Sequence, residues 1–527
     1  MGHDPLAGQR PPTHLVTRTG RAPLLICCAL ALALAAVGCG TTTASGPIHR
    51  TGPIWTPIPN QTPPAAPAAG DWPTFDYDAA RSGVNPSETA ITRATVGGLH
   101  RLWSVPLPQP ADSTPILLRN LTMPDGAPHD VLFITTLSGT TVALDAATGT
   151  IFWQDATSGP KITQSTPVAD PARQYLYASG VDGKLHKYSV STGAEVHDAT
   201  WPVTLTTMTQ TEKQGTAVNT ANGYVYATIG GYIGDAPPYQ GHAVAIHLSD
   251  GRVSVFNALC SNLQHVLQPN ECRDNLAALW ARAGVVVDPV TGYLFVTSGN
   301  GPYTANQSGG HDWGDSVVEL TGDASRVVDS YTPPNFADLE SSDQDLGSSM
   351  PALLPTITGS ATPYLLVQPG KDGVLRLLDR QNLSGYGGPG HVGGELQSIA
   401  QPGGCDVLTQ PAVWRNPATG DSWLYVANGC ATSAYRAVTD SQRVTRLQQA
   451  WTVNQGGTSP ILAGGVLFIA SDHQVVARDP LSGAQLWSST NLSAGGSIGA
   501  VHWQSPIVIG GRLYCADQDG NLTAYGL

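Results

Sequence analysis

The sequence predicts an all-β protein: an eight-bladed β-propeller of four-stranded antiparallel blades, with its ring closed by an N-terminal strand. Two general observations point to this fold. Only 12% of the 527 residues are charged, whereas glycine (59) and proline (41) are abundant, which is typical of short strands joined by tight turns. A pattern of strands and turns also recurs along the chain, and such repeats indicate one structural unit used many times.

The repeat is clearest in two stretches of equal length. Residues 139–153 read GTTVALDAATGTIFW and residues 473–487 read HQVVARDPLSGAQLW, with the same Val, Ala, Asp, Gly and Trp in register. Weaker copies begin at residues 183, 241, 314, 373 and 520, and the weakest surrounds residues 434–435. Each copy follows an apolar strand and a Ser/Thr-Pro strand. Each of the eight units therefore contains four strands, as a propeller blade does.

The eighth unit is incomplete, because the chain ends at Leu527 after the third strand of that unit. Residues 100–105 (HRLWSV) include Trp103, the residue type that ends the clearest copies, but they have no unit of their own. We expect this N-terminal segment to supply the missing strand. The ring would then close without leaving exposed strand edges.

The N-terminus has the features of an export signal. Arg10, Arg18 and Arg21 precede an apolar run over residues 24–37, and small residues lead to Cys39. The run is shorter than the ~20 apolar residues that span a bilayer, so residues 1–39 are interpreted as a signal peptide with a lipobox-like cleavage site. Cys39 would be lipidated; the alternative is ordinary signal-peptidase cleavage and a free protein.

This interpretation divides the chain into three parts. The signal peptide is followed by a tether rich in Pro, Thr and Ala over residues 40–70, and the propeller occupies residues 71–527. The protein is therefore expected outside the cytoplasm, as a bacterial cell-membrane lipoprotein or a secreted protein. Its membrane contact would be through the lipid alone.

Five cysteines follow the predicted signal peptide, in a compartment that permits disulfides. Cys260 and Cys272 bracket one polar insertion, which predicts that they pair. The pairing of Cys405 with Cys430 is predicted as the second disulfide. Cys515 lies within an apolar strand and is expected to remain a buried free thiol.

The formal net charge of -13 restricts the classes of partner. Binding to nucleic acid depends on clustered Lys and Arg, and no basic run follows the first 22 residues. Nucleic acid is therefore excluded. We expect a monomer that binds a small molecule or an envelope protein.

The long insertions are predicted to lie on one face of the ring. If the strands of each blade are lettered A to D outward from the axis, the B–C and D–A connections share a face. Residues 230–240, 301–312 and 369–373 are interpreted as B–C loops, and residues 257–279, 332–345 and 384–405 as D–A loops. Binding residues concentrate on loops held by a rigid scaffold, so a ligand is expected on this looped face.

The repeats, together with the segment DWPTFDYD over residues 71–78 ahead of Trp103, resemble the quinoprotein-like (PQQ-repeat) β-propeller family over nearly all of the expected mature chain. That family includes calcium- and PQQ-dependent alcohol dehydrogenases as well as non-catalytic lipoproteins that act as assembly scaffolds. The resemblance therefore implies the fold without choosing the activity.

The resemblance also implies roles for particular residues. Trp280 matches the aromatic platform under the quinone, and Asn300 matches a calcium ligand. Asp345 matches the catalytic base beside the calcium, and Asp343 accompanies it in SDQD. Lys371 matches the cation that contacts the quinone oxygens. The family's calcium-binding Glu has no counterpart here, and the nearest substitute is Asp235, in DAPPY.

Other departures from the family weaken the enzymatic interpretation. The catalytic relatives have adjacent cysteines that cover the quinone, but no such pair follows Cys39, and STPVAD over residues 165–170 stands in its place. No Cys-x-x-Cys-His haem site is present either. The same residues also have structural interpretations: turn formation for Asp343, Asp345 and Asn300, packing for Trp280, and a surface turn for Lys371.

Two hypotheses follow. The first is an extracytoplasmic propeller that binds a ligand or protein partner on its looped face without turnover, and it requires no cofactor. The second is a PQQ- and calcium-dependent dehydrogenase that oxidises an alcohol or a sugar, in which Asp345 takes the proton of the alcohol.

Overall fold

The computed structural model describes residues 66–68, 70–491, 493 and 495–527, all within one compact unit. The predicted signal peptide, Cys39 and most of the predicted tether lie outside these residues. The described chain forms eight antiparallel sheets in sequence order. The eight-bladed propeller is thereby confirmed.

The first four blades have the following strands. Blade 1 contains Ile116–Thr122, Pro128–Thr135, Thr140–Asp145 and Ile151–Ala156. Blade 2 contains Val168–Ala169, Tyr175–Ser179, Lys184–Ser189 and Val203–Thr204. Blade 3 contains Asn219–Ala221, Tyr224–Gly231, His242–His247 and Val253–Asn257, and Glu212–Lys213 pairs with the end of its second strand. Blade 4 contains Val286–Val287, Leu294–Thr297, Val317–Leu320 and Val327–Tyr331.

The other four blades complete the ring. Blade 5 contains Ala352–Leu353, Leu365–Gln368, Val374–Asp379 and Gln397–Ala400. Blade 6 contains Ala412–Arg415, Ser422–Ala427, Thr432–Thr439 and Thr445–Val453. Blade 7 contains Ile461–Ala463, Val466–Ser471, Gln474–Arg478 and Gln485–Ser488. Blade 8 contains Ile507–Ile509, Arg512–Ala516, Asn521–Gly526 and the N-terminal strand His100–Pro106.

Helices are scarce in the described residues. They comprise the α-helix Phe336–Ser342 and the 3₁₀ turns Val96–Gly98 and Leu346–Ser348. Among the residues described, no helix is long and apolar enough to cross a membrane.

The ring closes as the sequence predicts. The strand His100–Pro106 pairs antiparallel with Asn521–Gly526, the last strand of the chain. The Trp103 ring lies 5.9 Å from the ring of Tyr514. The N- and C-terminal parts of the propeller thus share one blade, so the ring is held by hydrogen bonds between strands far apart in sequence.

A plug formed by residues 71–85 lies against the inner strands of the blades, and the sequence did not reveal it. Trp72 forms an antiparallel bridge with Leu117 of blade 1. Val84–Asn85 pairs in parallel with Ile461–Ala463 of blade 7. Between these ends, the plug carbonyls of Pro73, Ala79, Ser82 and Gly83 accept hydrogen bonds from the backbone N–H groups of Ala169, Val287, Val413 and Leu462, respectively. The plug therefore connects five of the eight blades, including blades that are not neighbours in the ring.

Arg81 anchors the plug and is 0% exposed. Its guanidinium donates to Thr74 Oγ1 at 2.6 Å, to the carbonyl of Phe75 at 2.7 Å and to the carbonyl of Val218 at 3.1 Å. Asp76 is also buried, and burial raises its pKa well above the ordinary value, although the neighbouring Arg81 opposes this. The plug thus contains a buried, charged cluster.

The cysteine predictions are confirmed. Cys260 pairs with Cys272, and Cys405 pairs with Cys430. Cys515 is a buried free thiol, and burial raises its pKa.

One loop assignment is wrong. Residues 384–405 do not form a D–A loop, because the fourth strand of blade 5, Gln397–Ala400, lies inside this segment. The insertion instead joins the third and fourth strands of blade 5. It runs beside blade 4, where Gly390 N–H donates to Ser330 Oγ and Gly393 N–H donates to the carbonyl of Thr332. The short fourth strand has no closing Trp, so its position was not apparent from the sequence.

Candidate functional site

Most of the predicted site residues lie in connections on the looped face. Trp280 lies between blades 3 and 4, and Asn300 follows the second strand of blade 4. Asp343 and Asp345 follow the α-helix that precedes blade 5, and Lys371 follows the second strand of blade 5. The structure brings these five residues together around Gly299.

Lys371 and the two aspartates form a closed ion-pair cluster. The Lys371 ammonium lies 3.1 Å from Asp345 Oδ2 and 3.2 Å from Asp343 Oδ1. The backbone N–H of Lys371 also donates to the Asp345 carbonyl at 3.0 Å. Burial lowers the pKa of Lys371, but its ion pairs with Asp345 and Asp343 outweigh this effect, so the net shift is upward. The lysine is therefore held as a cation.

Asn300 completes this cluster. Its backbone N–H donates to Asp345 Oδ1 at 2.8 Å, and its side-chain amide donates to Asp343 Oδ1 at 3.2 Å. Asp343 ends the α-helix with a left-handed φ of 55°, a conformation that Asp tolerates better than most residues. The turn-forming interpretation of Asp343 is thus consistent with the backbone.

Gly299 allows Trp280 and Asp345 to approach the same point. A Cβ atom at this position would lie 2.2 Å from Asp345 Oδ1 and 3.2 Å from Trp280 Nε1. Trp280 is half-buried, and its ring meets that of Trp503 at a centroid distance of 6.5 Å and an interplanar angle of 73°. Trp280 is therefore an aromatic side chain at the edge of the cluster rather than a member of the core.

Asp235 lies apart from this cluster. It is exposed and accepts a hydrogen bond of 2.8 Å from the Tyr239 hydroxyl. Burial raises the pKa of Tyr239, and Asp235 adds to the shift. In the described part of the chain, no hydrogen bond or ion pair joins Asp235 to Asn300 or Asp345.

Two buried acids next to the cluster were not identified from the sequence. Burial raises the pKa of Asp315 to about 8, and repulsion from Asp345 and Glu340 contributes. Burial also raises the pKa of Glu340. Both acids retain a buried carboxyl oxygen without a hydrogen-bond partner. Asp315 falls within a degenerate copy of the repeat, so its burial had no separate signal in the sequence.

The side chains present do not fit a calcium ion. Calcium takes about 6–8 oxygen ligands. Asn300 Oδ1 is buried without a partner, but both carboxyl oxygens of Asp345 and Oδ1 of Asp343 are engaged by Lys371 and by Asn300. Across the described ranges, no three acidic, histidine or cysteine side chains are placed to hold a metal ion. An internal ammonium thus occupies the position between the carboxylates.

A second polar cluster surrounds Asp112, ahead of the first strand of blade 1. Asp112 Oδ2 accepts from Gln164 Nε2 at 2.6 Å and contacts His502 Nδ1 at 2.8 Å, and Asp112 Oδ1 accepts from Gln518 Nε2 at 3.0 Å. Burial raises the pKa of Asp112, but the contacts with His502 and Gln164 and the charge of Arg282 lower it by more. The net shift of the pKa is therefore downward. His502 and Gln518 lie 390 and 406 residues from Asp112 along the chain, which is why this cluster was not recognised from the sequence.

Two cations accompany this second cluster. Arg282 donates to the carbonyl of Gly215 at 2.7 Å and lies 5.2 Å from the Trp503 ring centroid. Lys213 donates to Gln164 Oε1 at 2.8 Å. Burial lowers the pKa of Lys213 to about 8, and the positive charge of Arg282 contributes. The looped face therefore has an acidic cluster at blades 4 and 5 and a basic region at blades 2 and 3.

Comparison with known proteins identifies relatives of the propeller. A family model described as the outer membrane protein assembly factor BamB matches residues 97–319 and 394–526. No curated protein matches the chain in sequence.

Solved structures of similar shape include quinohemoprotein alcohol dehydrogenases and a methanol dehydrogenase. The quinohemoprotein alcohol dehydrogenase from Comamonas testosteroni is 16% identical, with a TM-score of 0.61, over 88% of this chain and 81% of that protein. The quinohemoprotein alcohol dehydrogenase ADHIIG from Pseudomonas putida HK5 is 15% identical, with a TM-score of 0.59, over 87% and 80%. A europium-containing methanol dehydrogenase is 13% identical, with a TM-score of 0.63, over 87% and 98%. At these identities the similarity establishes the fold alone.

Proposed function

Because this chain belongs to the PQQ-repeat propeller family whose model is described as the outer membrane protein assembly factor BamB, we propose that it is an extracytoplasmic, lipid-anchored binding protein. In this proposal it holds a ligand or a protein partner on its looped face without turnover. The solved dehydrogenases of similar shape define the alternative.

The observation that carries this proposal is the closed cluster of Lys371, Asp343 and Asp345. A catalytic base must have a carboxylate oxygen within reach of the proton that it takes. Asp345 uses one oxygen to accept from Asn300 N–H and the other to pair with Lys371. The same contacts hold the Asp345 carboxylate in place, as expected for a residue that shapes a binding surface.

The cysteines also support binding without turnover. Four of the five cysteines after Cys39 are used in the two disulfides, with sequence separations of 12 and 25 residues. The fifth, Cys515, is buried. Adjacent cysteines that could cover a quinone are absent from this part of the sequence.

The position of Asp71, which follows the predicted tether, favours a looped face that points away from a membrane. Asp71 Oδ1 accepts from the backbone N–H of Arg119 at 2.8 Å, near the end of the first strand of blade 1. Asp112, on the looped face, precedes that same strand. Asp71, the first residue after the predicted tether, therefore lies on the opposite, plain face. A lipid at Cys39 would leave the looped face accessible to a partner.

The alternative function is that of a PQQ- and calcium-dependent dehydrogenase acting on an alcohol or a sugar. It is favoured by the convergence of Trp280, Asn300, Asp345 and Lys371 around Gly299, the set that the family resemblance implies. The engaged carboxylate oxygens argue against it. It predicts oxidation of alcohols with an artificial electron acceptor after PQQ and calcium are added. If turnover is observed and is lost in the Asp345→Asn variant, the binding proposal is overturned and the dehydrogenase function takes its place.

The binding proposal is tested by measuring which face of the ring contacts a partner in cells. A photo-crosslinking amino acid is placed at Asp343, which is 73% exposed on the looped face, or at Leu481, which is 45% exposed in a turn of the plain face. We expect protein adducts in intact cells from position 343 and not from position 481. Equal labelling from both faces, or none from position 343, contradicts the proposal.

A further inference from the structure

Three loops of the looped face meet between blades 2 and 3. The first contributes Lys161 and Ile162, the second contributes Lys213 and Gln214, and the third contributes Tyr232 and Ile233. The hydroxyl of Tyr232 donates to the carbonyl of Ile162 at 3.3 Å, which joins the first and third loops. We call these six residues the blade 2–3 rim.

The rim presents two cations over one aromatic ring. The Lys161 ammonium lies 4.4 Å from the Tyr232 ring centroid, and the Lys213 ammonium lies 5.7 Å from it. Neither lysine makes an ion pair with a carboxylate in the part of the chain that the structure describes. On a protein with a net charge of -13, this is a local positive site without its own counter-ion.

The acids that act electrostatically on Lys213 are Asp112 and Asp235, and Asp112 is engaged by Gln164 and His502. The other two acids considered, Glu212 and Asp235, are engaged as well. Glu212 accepts from the backbone N–H of Gln240 at 3.0 Å and from the Thr206 hydroxyl. Asp235 accepts from the Tyr239 hydroxyl. Burial lowers the pKa of Lys213 to about 8, with a contribution from the positive charge of Arg282, so a bound anion would stabilise the charged lysine.

Gln214 provides a polar group without a partner. Its side chain is buried, with the residue only 5% exposed, and neither its amide nitrogen nor its amide oxygen has a hydrogen-bond partner. A buried amide in this state is destabilising, and a hydrogen-bonding ligand would remove that cost. Gln214 lines a small cavity of about 10 Å³ together with Ile162 and Tyr232. This cavity holds about one water-sized group, such as a peptide carbonyl oxygen.

Two aliphatic side chains flank the polar groups. Ile233 is fully exposed and Ile162 is 40% exposed. The loop of Ile233 projects from the second strand of blade 3, where the exposed isoleucine gains nothing from burial in the folded chain alone. An apolar group that covered both isoleucines would remove their surface from water, which favours binding.

We propose that the blade 2–3 rim binds an acidic peptide segment of a partner protein that also contains aliphatic residues. The lysines contact its carboxylates, Gln214 pairs with its backbone, and the isoleucines cover an aliphatic side chain. The inference rests on the proposed function, because it specifies the chemistry of the partner on the looped face. The opposite charge of the rim and the peptide, and the free amide of Gln214, select this occupant.

The test measures fluorescence anisotropy of a labelled heptapeptide in which aspartate or glutamate alternates with leucine or isoleucine. A second peptide replaces the acidic residues with lysine. We expect the full-length protein to bind the acidic peptide at least tenfold more tightly than the basic peptide. The double variant Lys161→Glu/Lys213→Glu is expected to weaken binding of the acidic peptide at least tenfold. Gln214→Leu is expected to weaken this binding by a smaller factor, and its effect should persist at high salt.

Lys187→Glu is the matched control. Lys187 also lies over a tyrosine, 4.0 Å from the Tyr175 ring centroid, but it belongs to the third strand of blade 2 rather than to the rim. It is expected to leave peptide binding unchanged. The proposal is overturned if both peptides bind equally, if neither binds, or if the double variant and Lys187→Glu behave alike.

The outcomes also separate this inference from the proposed function. Adducts from position 343 together with peptide binding that is insensitive to the rim variants would overturn the rim and leave the looped-face proposal intact. Rim-dependent peptide binding without any adduct from position 343 would uphold the rim and overturn only the proposed partner contact beside Asp343.

Discussion

The Trp153 indole at the end of blade 1 packs directly on Gly193 in a turn of blade 2. A Cβ atom at Gly193 would lie 2.5 Å from the Trp153 ring, and Trp153 Nε1 donates to the carbonyl of Val190 at 3.0 Å. Gly483 meets Trp451 in the same way, with its Cβ position 2.7 Å from the ring. The Gly and Trp of the repeat are thus partners between neighbouring blades, which explains why both recur.

This contact predicts that Gly193→Ala is strongly destabilising. The glycine has a φ of +70°, which a non-glycine residue adopts at a cost of about 1–2 kcal/mol. The added methyl group also overlaps Trp153, and overpacking costs about 1–3 kcal/mol more. We expect a loss of about 2–5 kcal/mol in the free energy of unfolding, measured with urea.

Gly420→Ala provides the matched control. Gly420 has a φ of +77°, but nothing lies within 4 Å of its Cβ position. Only the backbone cost remains, so the loss should be about 1–2 kcal/mol. Equal losses in the two variants would show that the Trp153 contact contributes nothing.

The plug leads to a second prediction. Arg81→Met removes the guanidinium that binds the carbonyls of Phe75 and Val218 and leaves these buried acceptors without that donor. Leaving a buried polar group without its hydrogen-bond partner costs about 1–3 kcal/mol. We expect a loss of this size in the free energy of unfolding, whereas Arg326→Met, at an exposed position, should have little effect. A loss below about 1 kcal/mol would contradict the anchoring role of Arg81.

Much of the fold was predictable because it depends on side-chain patterns. The repeats, the closing strand with Trp103 and both disulfides are visible in the sequence. The plug was not, because it binds the blades largely through backbone carbonyls, such as those of Pro73 and Ala79, which leave no residue pattern. The cluster of Asp112 and His502 depends on contacts 390 residues apart.

The raised pKa of Asp315 leads us to expect that the stability of the protein depends on pH. Burial raises the pKa of its carboxyl from 3.8 to about 8 in the folded protein. The unfolded chain therefore loses this proton first as the pH rises, and the contribution of Asp315 to stability decreases between about pH 4 and pH 8. The expected slope is about 1.4 kcal/mol per pH unit for one such group.

Asp315→Asn should remove that slope while retaining an oxygen that accepts from Leu346 N–H. Unfolding in urea at pH 5 and pH 7.5 measures the difference, and the variant should gain stability relative to the unmodified protein at the higher pH. Asp472→Asn, at a side chain that is 82% exposed, is the control. Parallel pH profiles for Asp315→Asn and the unmodified protein would contradict the assigned burial effect.

The most direct measurement of the central proposal is a titration of the purified protein with PQQ in the presence of calcium, followed by tryptophan fluorescence and quinone absorbance. Trp280 lies where a bound quinone would quench it according to the family resemblance. Binding without quinone chemistry predicts no saturable change in either signal. A saturable change that disappears in both Asn300→Ala and Asp345→Ala would contradict it and establish a cofactor site.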